Sequence, residues 1–154
     1  MKALLQRVER AAVRVDGASV GSIGAGVLVF LGVEKGDDER VVARLAQRVA
    51  TFRFFPDADD RMNLDVVEAG ASALVVSQFT LAHTRRKGRR PSFDRAAAPA
   101  LAEALYEAFV ADLRARGIPT ETGRFAARMA VELVNDGPVT FLLEEPPEAP
   151  VEPG

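Results

Sequence analysis

Apolar residues recur along this chain with two periods, and the switches between them divide it into elements. From Lys2 to Arg10, Ala3, Leu5 and Val8 predict a strand with these side chains inward. Val13-Arg14-Val15 alternates at period two, Asp16-Gly17 supplies the positive-φ pair of a tight hairpin, and Ala18 to Gly21 returns. After Gly24-Ala25-Gly26, Val27 to Val33 is a continuous apolar run of strand length, the kind that is covered on both faces. Helical spacing then takes over. Asp37-Asp38-Glu39 puts an Asp cap and acid at a helix start, and Val41, Val42, Leu45, Val49 and Phe52 give an amphipathic helix over 38–52. Arg40, Arg44 and Arg48 share its other side, read as a solvated face.

Leu64 to Glu68 predicts a short strand, and a central strand begins near Ser72 and runs through Leu74-Val75-Val76 to Ser77-Gln78-Phe79-Thr80-Leu81. Pro99 opens a second helix, with Leu101, Leu105, Phe109 and Leu113 as its stripe and Gly117 as its C-terminal cap. Thr120 to Phe125 is a loop or short strand. Ala127 to Val134 alternates with Met129, Val131 and Leu133 on one side, Asn135-Asp136-Gly137-Pro138 turns, and Val139 to Leu143 returns. Glu144 to Gly154 holds four prolines and four glutamates in eleven residues, which predicts a disordered acidic tail beyond a single domain spanning 1–144. Seven or eight strands with two main helices imply an α/β (α+β) fold. Its sheets are mixed and mainly antiparallel, layered as a β-β-α sandwich, unless a partner subunit covers one face.

Composition narrows the chemistry. At 154 residues the chain builds one core, and its net charge of −2 means that attraction to a polyanion must come from local clustering. With no Cys there is no disulfide and no thiolate nucleophile or ligand, which fits a reducing compartment. Neither a signal peptide nor an apolar stretch of membrane-spanning length is present, so a cytoplasmic location is expected. The acids Asp57, Asp59 and Asp60 invite a calcium loop, but Met62 stands where such a loop needs Gly, so the segment reads as an acidic turn. His83 is the only His, which argues against both a Ser/His/Asp triad and a zinc site.

Two constellations remain. Ser77, Gln78 and Thr80 put hydroxyl and amide groups at the end of an apolar strand, either as local hydrogen-bonders or as the mouth of a pocket gripping a carbonyl, ammonium or ribose. Without a base nearby, Thr80 is a weak nucleophile, so such a site suits an already activated bond such as an ester. From His83 to Arg95 there are six cations (Arg85, Arg86, Lys87, Arg89, Arg90 and Arg95) and one acid, Asp94, a balance of +5. That loop is either solvated or a phosphate contact. Phe93 beside it either stacks or anchors the loop in the core, and the anchor is the expectation. Gly137-Pro138 is a candidate cis bond in what otherwise looks like an ordinary hairpin.

Together these segments resemble the D-aminoacyl-tRNA deacylase family over residues 1 to 144. The match rests on Val75-Val76-Ser77-Gln78-Phe79-Thr80-Leu81, on Gly88-Arg89-Arg90-Pro91-Ser92-Phe93 and Thr122-Gly123-Arg124-Phe125, and on Asn135-Asp136-Gly137-Pro138-Val139-Thr140 about 58 residues after the first motif. The resemblance implies hydrolysis of the ester joining a D-amino acid, or glycine, to the terminal adenosine of tRNA. It implies a homodimer without metal or organic cofactor, and assistance from the ribose 2′-OH. It implies that Ser77, Gln78, Phe79 and Thr80 line the pocket, and that Phe125 and Met129 lie near the adenosine. By the same resemblance a cis Gly137–Pro138 corner, oriented by Arg7, enters the partner's pocket and rejects L-amino acids. Arg85, Arg86, Lys87, Arg89 and Arg90 would meet the acceptor stem. The alternative is a non-catalytic dimeric tRNA-binding module.

Overall fold

The computed structural model describes residues 1–85 and 87–148. Its frame is the long strand β1 (Lys2–Val15), which pairs on one edge first with β3 (Gly26–Gly32) and then with β2 (Ala18–Ile23), all antiparallel. Its other edge carries β8 (Ala130–Glu144) from Lys2↔Glu144 to Arg14↔Ala130. Beyond β3 come β6 (Ser72–Ser77) and β7 (Thr120–Thr122), both parallel to their neighbours. A small ribbon pairs β4 (Phe55–Pro56) with β5 (Met62–Leu64). The fold is mixed α/β, as expected.

Strand alternation builds two cores from one sheet. Val27, Val29 and Leu31 of β3 and Ala73 and Val75 of β6 face a cluster shared with the helices α1 (Glu39–Thr51) and α2 (Pro99–Ala115). Leu28, Leu74 and Val76 point the other way and meet Val8, Ala11, Val13 and Ile23, with Met129, Val131 and Leu133 packed against them. Each face of these strands is thus covered, which is why the sequence runs apolar without alternation. Burial of Phe54 and Phe109, both within 1% of full burial, contributes about 2–3 kcal/mol each. The Asp38 side chain caps α1 by accepting from the backbone of Arg40 and Val41, at 3.0 and 3.1 Å.

Four expectations are corrected. The two N-terminal strands are one, because β8 pairs along the whole of β1 and bridges the polar break around Arg10. The strand expected at Leu64–Glu68 lies at Met62–Leu64; Asp65 accepts from the Glu68 backbone at 2.8 Å and turns the chain there. The central strand stops at Ser77, and Phe79–Ala82 winds into a 3₁₀ turn, seated under β3 with Gln78 donating its backbone N–H to Leu31 at 2.8 Å. Gly32 permits that approach, since a Cβ there would lie 2.9 Å from Leu81 Cβ. Finally, Asn135–Pro138 is not a hairpin. Both halves of β8 pair with β1 in the same direction, and between Gln6↔Thr140 and Val8↔Asn135 the chain loops out opposite Arg7.

The acidic segment starts on the body of the protein: Glu145 pairs with Arg44 and Arg48, and Glu148 with Arg40 and Arg44. The face of α1 read as solvated is therefore covered in part. Residues 149–154 lie outside those described.

Candidate active site

Where β6 ends, the chain opens onto a cavity of about 550 Å³. Ser77, Gln78 and Phe79 form one wall, Phe125, Ala126, Ala127 and Met129 another, and Ala96, Ala97, Pro99 and Ala102 a third, with Val33, Val76 and Val131 completing it. The lining is mostly apolar with a few polar groups at one place, as small-molecule sites usually are. Ser77 and Gln78 are half-buried, whereas Phe79 is 58% exposed at the mouth. Thr80 does not line the cavity. Its hydroxyl accepts from the Gln78 amide, and its carbonyl accepts from the His83 backbone at 3.2 Å, so it fixes Gln78 from behind.

The aromatic wall is held from beneath. Tyr106 on α2 donates its hydroxyl to the Val75 carbonyl at 2.7 Å, and its ring lies 6.0 Å from that of Phe125. Burial pushes the phenol up to about 12, against the opposing charge of Arg114. The backbone N–H of Gly123 donates to the same Val75 carbonyl at 3.2 Å, tying the start of the Phe125 segment to β6.

The cationic loop is a hairpin. Thr84 and Ser92 exchange backbone hydrogen bonds at 2.7 and 3.2 Å, and Arg85, Lys87, Arg89 and Arg90 are all exposed. Arg86 lies outside the described residues. The descending limb is fastened to the end of β3, where Lys35 donates to Arg95 at 2.8 Å and Ala97 to Val33 at 3.1 Å. Phe93 does not anchor in the core; half-buried, it meets exposed Phe79 edge to face with ring centroids 5.1 Å apart. The hairpin is thereby joined to the mouth of the cavity.

Arg7, Gly137 and Pro138 are brought together, but not at this cavity. The Gly137–Pro138 bond is cis and Gly137 has φ +129°. Asn135 donates to the Arg7 and Val139 carbonyls at 2.8 and 3.1 Å. Of the sites raised in the sequence, the cavity gathers Ser77, Gln78, Phe79, Phe125 and Met129. Sequence reasoning missed Ala96, Ala97 and Ala102, because a methyl group signals no chemistry; here it makes room. The acidic turn is a local one, with Asp57 accepting from Asp59 and Arg61 at 2.9 and 3.0 Å and held below the usual carboxylate range, first by the Arg61 amide. Among the described residues no three His, Cys, Asp or Glu side chains gather as metal ligands, and no helix is long and apolar enough to cross a membrane.

The six-stranded sheet, the apolar cavity with polar groups at one strand end and the cationic hairpin at its mouth define an α/β protein with a small-molecule-sized site beside a basic surface. Residues 4–144 match the family described as D-Tyr-tRNA(Tyr) deacylase. The chain is 59% identical over 144 residues to the D-aminoacyl-tRNA deacylase of Escherichia coli O81 and 60% identical to that of Salmonella arizonae, each alignment covering 94% of this chain and 99% of the relative. Among solved structures, it superposes with TM-score 0.90 and 37% identity on one titled "c-Myc DNA Unwinding Element Binding Protein", covering 95% of this chain and 99% of that one. A probable eukaryotic D-amino acid tRNA deacylase shares the fold at TM-score 0.77 and 19% identity, over 92% of this chain and 97% of that one. The chain belongs to the D-Tyr-tRNA(Tyr) deacylase family and is a hydrolase.

Proposed function

We propose that the chain cleaves the ester between a D-amino acid, or glycine, and the 3′-terminal adenosine of tRNA in the cytoplasm. The observation that carries this is the convergence of Ser77, Gln78 and Phe79 on an apolar cavity facing Phe125 and Met129, in a chain that aligns over 94% of its length with named deacylases. The ester is activated, and the neighbouring ribose 2′-OH can orient the attacking water. The protein then supplies position and stabilises the developing oxyanion, which needs no strong base. Phe125 and Met129 offer an apolar seat for the adenosine, Gln78 and Ser77 meet the polar part of the acyl group, and Thr80 holds the Gln78 amide in place.

Selection against L-amino acids is assigned to the Gly137–Pro138 corner of a second subunit. Main-chain carbonyls there accept from the substrate ammonium and crowd an L side chain, so discrimination works by repulsion of the wrong isomer. Two facts support this: the corner protrudes from β8 opposite Arg7, and it does not line its own chain's cavity. Exposed Arg85, Lys87, Arg89 and Arg90, with Arg86, meet the tRNA backbone.

The decisive experiment follows labelled amino acid released from D-tyrosyl-tRNA, with L-tyrosyl-tRNA as control. Turnover of the D-isomer alone is expected; equal or absent turnover overturns the proposal. The shared site is tested by mixing a Gln78→Ala subunit with a Gly137→Ala subunit. Mixed dimers regain one intact composite site only if the corner acts across the interface. A second reading, a dimeric tRNA-binding module without catalysis, draws on the 37% identical neighbour titled as a DNA-element binder. It requires tRNA binding with D-tyrosyl-tRNA left intact.

A further inference from the structure

The family match ends at residue 144, yet the next four residues are seated on the protein by four ion pairs. Arg40, Arg44 and Arg48 lie one turn apart on α1, a rise of about 6 Å each. Arg44 holds Glu145 at 2.9 Å and Glu148 at 2.8 Å, Arg48 holds Glu145 at 3.0 Å, and Arg40 reaches Glu148 at 3.2 Å. Arg48 and Arg44 also donate to the carbonyls of Glu144 and Pro146, at 2.6 and 3.3 Å. At the other side of the segment, Met1 and Glu145 exchange main-chain bonds at 2.8 and 2.9 Å. Burial alone would raise the Glu145 carboxyl, but the Arg44 and Arg48 guanidiniums hold it below its ordinary value.

Three forked cations in a row on one helix face, now engaged by Glu145 and Glu148 and, for Arg40, also by Asp38 at 2.9 Å, match a run of phosphates as well as they match carboxylates. The hairpin's foot and the acidic segment meet the same short stretch before α1: Arg95 accepts from Lys35, the would-be Cβ of Gly36 lies 3.5 Å from Pro147, and Asp38 caps α1. We propose that Arg40, Arg44 and Arg48 form an RNA-phosphate ladder continuing the cationic hairpin, and that Glu145 and Glu148 occupy it as a built-in competitor. The acidic segment thereby weakens contact with RNA at α1 and leaves the hairpin as the main point of attachment. The exposures of the three side chains, 70, 33 and 45%, leave them within reach of an incoming strand once the glutamates withdraw.

The identity of the polyanion rests on the proposed tRNA reading, and the test separates the two. Binding of deacylated tRNA is titrated against salt for the full chain, for a chain ending at Glu144, and for full-length Glu145→Gln/Glu148→Gln. Both altered chains should bind about tenfold tighter at low salt, with the slope of log K against log salt steeper by roughly 2. Adding Arg44→Gln and Arg48→Gln to either should abolish the gain. Thermal melts run alongside identify a truncated chain that has lost its fold, in which case the full-length double variant decides. Unchanged tRNA affinity in that variant, whether or not its melting point falls, overturns the competitor and leaves only a structural clasp. Loss of binding on Arg89→Ala/Arg90→Ala in the otherwise unaltered chain reports on the hairpin separately.

Discussion

The Arg7 guanidinium lies 3.2 Å from the Asp136 carboxylate, and through Nη1 it donates to the Phe54 carbonyl at 2.8 Å. One side chain, 11% exposed, thus ties the loop that leaves β8 to the segment that follows α1. Arg7→Ala strands the Phe54 carbonyl and frees the corner. A partly buried acceptor without its donor costs about 1–3 kcal/mol. The expected result in urea melts is a loss of about 2 kcal/mol, and D-aminoacyl-tRNA hydrolysis should fall by a larger factor than stability alone explains. Arg7→Lys keeps the charge but not the fork, and should fall between. Native stability and rate in Arg7→Ala would show that the tether is idle.

Gly137 makes the corner possible. Its φ of +129° is open to glycine and strained for other residues, and a Cβ there would lie 2.6 Å from Val139 Cγ2 and 3.0 Å from the Val139 nitrogen. Gly137→Ala should therefore cost roughly 1–3 kcal/mol and displace the main-chain oxygens next to it. Assays on paired D- and L-aminoacyl-tRNA should show lost D-turnover or relaxed rejection of L. A variant with full activity and unchanged chirality would remove the corner from the mechanism.

The course of β1 shows what pattern alone can and cannot deliver. Ala3 and Leu5 are buried in one phase, Val8 in the other, and Ala11, Val13 and Val15 in the first again. Read locally, two phase slips look like two strands. The first is no slip, since Leu5 and Val8 face opposite cores by ordinary alternation; the second is the register shift against β8 at Glu9, after which Ala11 and Val13 join the core of Val8. Nothing within ten residues of Arg7 signals a partner strand 128 positions away, so Asn-Asp-Gly-Pro could only be read as a turn. The apolar run Val27–Val33 was legible because it is covered on both faces whichever neighbours do so. The cavity was legible where polar groups interrupt the apolar end of β6, and invisible where alanines provide only space. Phe93 went to Phe79 rather than to the core because the Thr84–Ser92 hairpin holds it at the mouth, a long-range constraint its neighbours in sequence do not carry.

Arg89 and Arg90 of the hairpin are exposed and do not line the cavity, so their loss should be felt in docking. Arg89→Ala with Arg90→Ala should raise KM for D-aminoacyl-tRNA several-fold at physiological salt and spare kcat, and the effect should shrink as salt rises. Steady-state kinetics at two ionic strengths checks this. An equal fall in kcat would place the hairpin in the reaction itself.

Tyr106 supports the Phe125 wall without lining the cavity, and both roles of its hydroxyl can be measured. Tyr106→Phe removes one of two donors to the Val75 carbonyl, leaving the Gly123 N–H, so the stability loss should be near 1 kcal/mol rather than that of an orphaned acceptor. With Phe125 less firmly held, KM for D-aminoacyl-tRNA should rise a few-fold while kcat stays level. The pH dependence carries the sign of the shift. Burial raises the phenol from 10.0 to about 12 in the folded chain, so the folded state holds this proton more tightly than the unfolded one. Its contribution is complete below about pH 10 and is lost progressively as pH rises towards about 12. The stability difference between the native chain and Tyr106→Phe should therefore hold constant below that window and shrink across it in urea melts. A difference that stays flat through the window would mean that the phenol is not buried in the way its bond to Val75 requires.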